Sequence, residues 1–277
     1  MLNLGVRAHD IHAENLEELA EKVHQLGLNH IQFAPSKNFP GITTEQLTPG
    51  FARHCRDVFA RKGISISVLG CYINLVARDR EVREREFQKF YRYLRLREDF
   101  GASLVATETG SVGDGYTNAN FTEETFLLAT YFVRQMIVQA EKFGSTIAVE
   151  AGINHPVHTI DKLKRLLGAV PSNNIQVILD VANLMTLDNW QNQGDIIDEA
   201  LEKLGERIVA IHLKDFVIKG DKIEFVSMGK GLLDLERILS FVKRERPWMF
   251  LLLEGTRGED LVGAVRCIRD INENIIP

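Results

Sequence analysis

Short apolar runs recur along the chain, and each gives way to a segment whose apolar residues return at helical spacing. Eight runs read as strands: Asn3–Ala8 (NLGVRA), His30–Ala34 (HIQFA), Ile64–Leu69 (ISISVL), Ser103–Thr107 (SLVAT), Thr146–Glu150 (TIAVE), Ile175–Asp180 (IQVILD), Ile208–His212 (IVAIH) and Trp248–Glu254 (WMFLLLE). Amphipathic stretches between them include Asn15–Leu26, Glu81–Phe100, Thr122–Phe143 and Leu232–Val242. In Glu81–Phe100, Phe87, Phe90, Tyr91 and Leu94 share one face, while Arg and Lys alternate with Glu around the rest. That is a solvated helix and not a basic binding patch.

Strict alternation of strand and helix calls for parallel strands joined by right-handed crossovers. Eight such units in 277 residues predict a closed (β/α)8 barrel, an α/β TIM barrel filling residues 1–277 as one domain. A doubly wound open sheet is the alternative. No linker or low-complexity segment divides the chain, and no GxGxxG follows the first strand, so the dinucleotide-binding fingerprint is missing.

Composition narrows the setting. The chain is 45% hydrophobic and 26% charged, as in ordinary globular proteins. Its net charge of −5 gives no electrostatic reason to expect nucleic acid or an anionic membrane as a partner. Cys55, Cys71 and Cys267 form no CxxC and no metal-type cluster, which fits reduced thiols in a cytoplasmic protein. No apolar stretch approaches the roughly 20 residues of a membrane span, and MLNLGVRAHD lacks the layout of a signal peptide.

The chemistry gathers where strands end. TIAVE closes on Glu150, IQVILD on Asp180, IVAIH on His212 and WMFLLLE on Glu254. In a (β/α)8 barrel such ends face the mouth, where catalytic groups project. Any one of these residues alone is accounted for by a cap or a solvated strand end. Four in the last four strands are not, because three carboxylates converging on one mouth repel unless a cation lies between them. Three oxygen-ligand acids and one imidazole suit a single Mn²⁺, the leading expectation, or Mg²⁺, Co²⁺ or Zn²⁺.

The motifs AVEAG, LDVAN, IHLKD and LLLEG around these residues, with MGKGLLDLERIL before the last strand, resemble the xylose isomerase-like TIM barrels. These form the sugar phosphate isomerase/epimerase family, which includes tagatose epimerases, hydroxypyruvate isomerase and inosose-processing enzymes. The resemblance runs the length of the chain in topology and is concentrated in the second half in motifs. It implies that Glu150, Asp180, His212 and Glu254 hold one divalent metal, and that Glu150 and Glu254 also move protons on opposite faces of a small sugar, ketose or polyol-derived substrate. Many members carry a His three residues after the strand-six Asp, where this chain has Asn183, which binds a substrate oxygen but does not titrate near neutrality.

Further substrate-binding candidates are His155 after strand five, Lys214 beside His212, Arg257 after Glu254, and Glu108 at the end of strand four. Each has a plainer reading as a loop residue or ion pair. His9 either lines the pocket from strand one or has a plainer role in capping or at the surface; Cys71 is a small buried apolar residue. Gly110–Phe121 (GSVGDGYTNANF) is a loop and a lid candidate, with Tyr116 placed to cover the substrate.

The expected function is metal-dependent isomerisation or epimerisation through an enediolate. An inosose-type dehydratase starts with the same proton abstraction. An endonuclease IV-like phosphodiesterase shares the barrel but needs added histidines, and strands three, four and six here end VLGCY, ATETG and DVAN. Expected partners are a small-molecule carbohydrate, with neither nucleic acid nor membrane; a homo-oligomer is compatible with this reading.

Overall fold

Six of the nine α-helices among the described residues start where a side chain accepts a free backbone N–H group. Asn15, Thr48, Asp79, Thr122, Thr159 and Asp234 all cap in this way. The computed structural model describes residues 2–276. Its strands are β1 (Leu4–Arg7), β2 (His30–Phe33), β3 (Ser65–Gly70), β4 (Leu104–Thr107), β5 (Ile147–Glu150), β6 (Ile175–Asp180), β7 (Ile208–Leu213), β8 (Asp215–Lys219), β9 (Lys222–Val226) and β10 (Phe250–Leu253). The helices are α1 (Leu16–Gln25), α2 (Pro35–Asn38), α3 (Pro49–Ala60), α4 (Arg80–Leu96), α5 (Glu123–Lys142), α6 (Ile160–Ala169), α7 (Gln193–Leu204), α8 (Leu235–Glu245) and α9 (Asp260–Asn274).

All eight expected strands form, trimmed by a residue or two at some ends, and they close a parallel barrel in the order β1-β10-β7-β6-β5-β4-β3-β2. The barrel interior is filled by Val68, Leu104, Ala106, Ala148, Ile178, Ala210 and Leu252. Small residues alternate there with large ones because opposite strands leave little room. Gly5 in β1 has no substitute: a Cβ would lie 2.3 Å from the His30 carbonyl oxygen.

Two irregularities aim side chains. Val177 pairs with Ile208 but Ile178 with Ala210, so Val209 is an extra residue in β7. The shift brings His212, instead of Ile211, opposite Asp180. A second shift leaves Ser67 of β3 unpaired and sets Gln32 opposite Val68.

The expected alternation breaks once. FVIKGDKIEFV after Lys214 folds into the antiparallel hairpin β8–β9, turning at Gly220 (φ 62°) and Asp221. Asp215 holds it down: its buried carboxylate accepts the backbone N–H groups of Phe216, Gly229, Gly231 and Leu233. This loop delays α8, expected from Leu232, to Leu235. Gly231 is packed against the same carboxylate, and a Cβ there would sit 2.2 Å from Asp215 Oδ1 and 2.4 Å from the Phe216 carbonyl oxygen. Gly231→Ala is therefore expected to destabilise the fold by roughly 2 kcal/mol or more, read by denaturant unfolding. An unchanged midpoint would show that the loop relaxes freely.

Candidate active site

The four strands that end in acids or His lie side by side in the barrel, β5, β6, β7 and β10. They bring Glu150, Asp180, His212 and Glu254 together, each buried, with one ligand atom from each within 4.8 Å of all the others. Glu254 stands one residue beyond β10. His212 Nδ1 lies 3.2 Å from Glu150 Oε1 and 2.7 Å from Glu254 Oε2. Its other nitrogen, Nε2, meets Gln32 Oε1 at 2.7 Å.

The carboxylates are balanced by cations of the chain itself. Lys214 Nζ lies 2.7 Å from Asp180 Oδ2 and 3.1 Å from Glu254 Oε1, and donates to Asn183 Oδ1 at 2.8 Å. Arg7 Nη1 lies 2.7 Å from Glu254 Oε1, and Arg7 Nε donates to Asp10 at 2.8 Å. Asn183 also donates to Glu150 Oε1 at 3.0 Å, so it bridges the base candidate to the lysine.

These contacts set the protonation states. Burial disfavours a charged His212, but the Glu150 and Glu254 carboxylates outweigh it and raise the imidazolium to about 10. Burial alone would raise Glu254; His212, Lys214 and Arg7 instead hold it well below the usual carboxylate range. Asp180 rises to about 6, because burial and the neighbouring Glu254 and Glu150 outweigh Lys214. Glu108 is drawn up by burial and by Glu254.

The donor set fits a divalent cation: three carboxylates and one imidazole nitrogen turned toward them. Asp180 Oδ2 is buried and pairs with Lys214 Nζ at 2.7 Å without an aligned hydrogen bond, so its lone pairs remain free for a further ligand bond. Without an ion, His212 contributes stability as an imidazolium. Its folded value lies above the ordinary 6.5, so that contribution is complete below pH 6.5 and fades as pH rises toward about 10. Thermal melts of chelator-treated protein should fall across this window, and a flat profile would contradict the ion pairs.

The remaining candidates divide. Lys214 is not on an open loop but inside the cluster. Arg257 is paired to Asp10 through Nε at 2.9 Å, with its side chain 69% exposed at the rim. His155 and Glu108 face each other 4.0 Å apart, and His155 Nδ1 is buried without a partner. His9 sits on the turn after β1, edge-on to Tyr72. Cys71 is fully buried. The Gly110–Phe121 loop departs from a lid: reciprocal hydrogen bonds between Thr117 and Asn154 pin it, and Tyr116 is 71% exposed against Phe121.

Arg7, Asp10 and Gln32 were not among the candidates, although an Arg in LGVR and a Gln in HIQF stand out in buried strands. A groove of about 1010 Å³ runs between the loop after β1, α1 and the start of α9, sharing only Asp10 and Arg257 with the ion pairs around Glu254. The cluster, not this groove, holds the reactive groups.

A family model described as xylose isomerase-like TIM barrel matches residues 20–271. The chain belongs to this family. Among solved structures of similar fold, a D-tagatose 3-epimerase-like protein is 17% identical with a TM-score of 0.78, covering 99% of this chain and 98% of its own. The IOLI protein with a bound zinc atom is 16% identical, TM-score 0.74, covering 100% and 99%. The probable 3-DHS dehydratase AsbF from Bacillus anthracis is 15% identical, TM-score 0.75, covering 99% of each chain. At these identities the likeness to each structure is one of fold. No curated protein sequence matches the chain. No helix among the described residues is long and apolar enough to cross a membrane.

Proposed function

We propose that this barrel is a divalent-metal-dependent isomerase or epimerase of a small sugar, ketose or polyol-derived carbonyl compound. The observation that carries the reading is the convergence of Glu150, Asp180, His212 and Glu254 at the mouth ends of contiguous strands. These four would hold the ion, Mn²⁺ foremost, with Mg²⁺, Co²⁺ and Zn²⁺ suited to the same donors. A divalent ion there supplies a Lewis acid that stabilises negative charge developing on a substrate oxygen.

The chain's own groups do the rest. Glu150 and Glu254 come from strands separated by β6 and β7, so they reach the substrate from different sides. One takes the proton from the carbon beside the carbonyl, and the other returns a proton to the opposite face or to the neighbouring carbon. The first outcome inverts a centre; the second interconverts aldose and ketose. Asn183 orients the base: its amide donates to Glu150 and to the Ala151 carbonyl, and its oxygen accepts from Lys214, so contact with a substrate oxygen would require it to give up one of these bonds. His155, Glu108 and Arg257 would serve as further substrate contacts. The buried thiols Cys55 and Cys71 support a reducing, cytoplasmic setting.

Loss of a hydroxyl in place of the second proton transfer would make the enzyme a dehydratase. The likeness in fold to the probable 3-DHS dehydratase AsbF supports keeping this second reading. One experiment separates the readings: metal-loaded protein with ketoses, inososes and hydroxypyruvate in heavy water. Deuterium beside the carbonyl with no mass loss is expected for isomerisation or epimerisation, and loss of water for the lyase. Metal-dependent cleavage of an abasic-site duplex, with no exchange in any carbonyl compound, would overturn both.

A further inference from the structure

We infer that Gln32 and Tyr72 form a relay that positions His212 for the metal, by fixing which imidazole nitrogen carries the proton. The inference rests on the proposed metal site. His212 has two nitrogens with different tasks: Nδ1 faces Glu150 and Glu254, where the ion would lie, and Nε2 faces Gln32 Oε1 at 2.7 Å. A nitrogen can ligate only through its lone pair, so the proton of a neutral His212 must sit on Nε2. A carbonyl oxygen at Nε2 enforces that tautomer, because it accepts a hydrogen bond and cannot donate one.

A glutamine amide can present either end; an ion at Nδ1 leaves His212 Nε2–H as a donor, which only the Oε1 end can accept, and Tyr72 holds the other end. Gln32 Nε2 donates to the Tyr72 hydroxyl oxygen at 2.8 Å, which leaves Oε1 for His212. Tyr72 is itself held in place, with the His9 ring edge-on at 5.8 Å and Lys37 Nζ 6.0 Å from its ring centroid. The backbone contributes independently: the extra residue Ser67 in β3 shifts the pairing at Gln32, whose side chain is 1% exposed and reaches across the barrel to β7. A glutamine in a fully buried strand has no packing reason to be there. Its two hydrogen bonds to His212 and Tyr72 supply the chemical reason.

Calorimetric Mn²⁺ titration of the full chain tests the relay. Gln32→Met preserves shape but removes the acceptor, and should raise Kd by roughly 10- to 100-fold. Gln32→Glu keeps an acceptor oxygen and should restore binding close to that of wild type, a rescue that mere packing would not give. Tyr72→Phe frees the amide to turn and should produce a smaller loss. In parallel, ¹⁵N NMR of the Zn²⁺-loaded wild type should show His212 protonated at Nε2 and scalar-coupled across the hydrogen bond to the Gln32 side-chain carbonyl carbon, which decides the matter even where Gln32→Met does not fold. Wild-type Kd in Gln32→Met, or an unprotonated Nε2, would overturn the relay alone. A wild type that binds no Mn²⁺ would instead overturn the proposed metal site, and the relay with it.

Discussion

Glu254→Gln is expected to lower turnover by at least roughly 10²- to 10⁴-fold, the contribution of a positioned acid–base group, while the fold survives. The amide keeps the length of the side chain and one oxygen, and Glu150, Asp180 and His212 remain to hold the ion. Glu150→Gln should behave alike if the two carboxylates serve different faces. For an epimerisation, one of the two mutants should still exchange the substrate proton with solvent while failing to invert the centre, since only one face has lost its base. Metal content, turnover and deuterium exchange measured together separate a base from a ligand. Near-normal turnover in either metal-replete mutant would reduce that glutamate to a ligand and end the two-base mechanism.

Lys214→Met is expected to make the stability of the fold depend on metal. Lys214 is 7% exposed and is in salt-bridge contact with Asp180, while Glu254 pairs with both Lys214 and Arg7. Removing one partner of a buried ion pair costs about 3–5 kcal/mol. Asp180, already drawn up to about 6, escapes part of that cost by taking a proton at low pH, so the loss should grow as pH rises above that value. Added Mn²⁺ should recover much of the lost stability, because it returns positive charge to the same carboxylates. Chemical denaturation of chelated and loaded protein across pH reads this directly. A mutant equally stable in both forms would show that the cluster needs no cation.

The four cluster residues were legible because each interrupts an apolar run at its last position, where burial alone gives no reason for a charge. The barrel was legible for a related reason: buried parallel strands read as continuous apolar runs separated by helical periods. The hairpin was not, since Asp215–Val226 follows β7 after a single residue and its Gly220-Asp221 turn lies where a helix was due. Arg7 and Gln32 stayed hidden for another reason. Their partners, Glu254 and His212, lie 247 and 180 positions away, and only closure of the barrel brings β1 and β2 against β10 and β7. Lys214 and Arg257 were both legible as mouth residues, but whether each pairs inward or outward depends on the hairpin and on Asp10.

The most direct test of the account is a Mn²⁺-soaked crystal with anomalous diffraction. One peak is predicted, bound by Glu150, Asp180, His212 through Nδ1, and Glu254 at roughly 2.0–2.3 Å, with a position left for water or substrate. No peak among these four side chains, or a cluster of three, would contradict it.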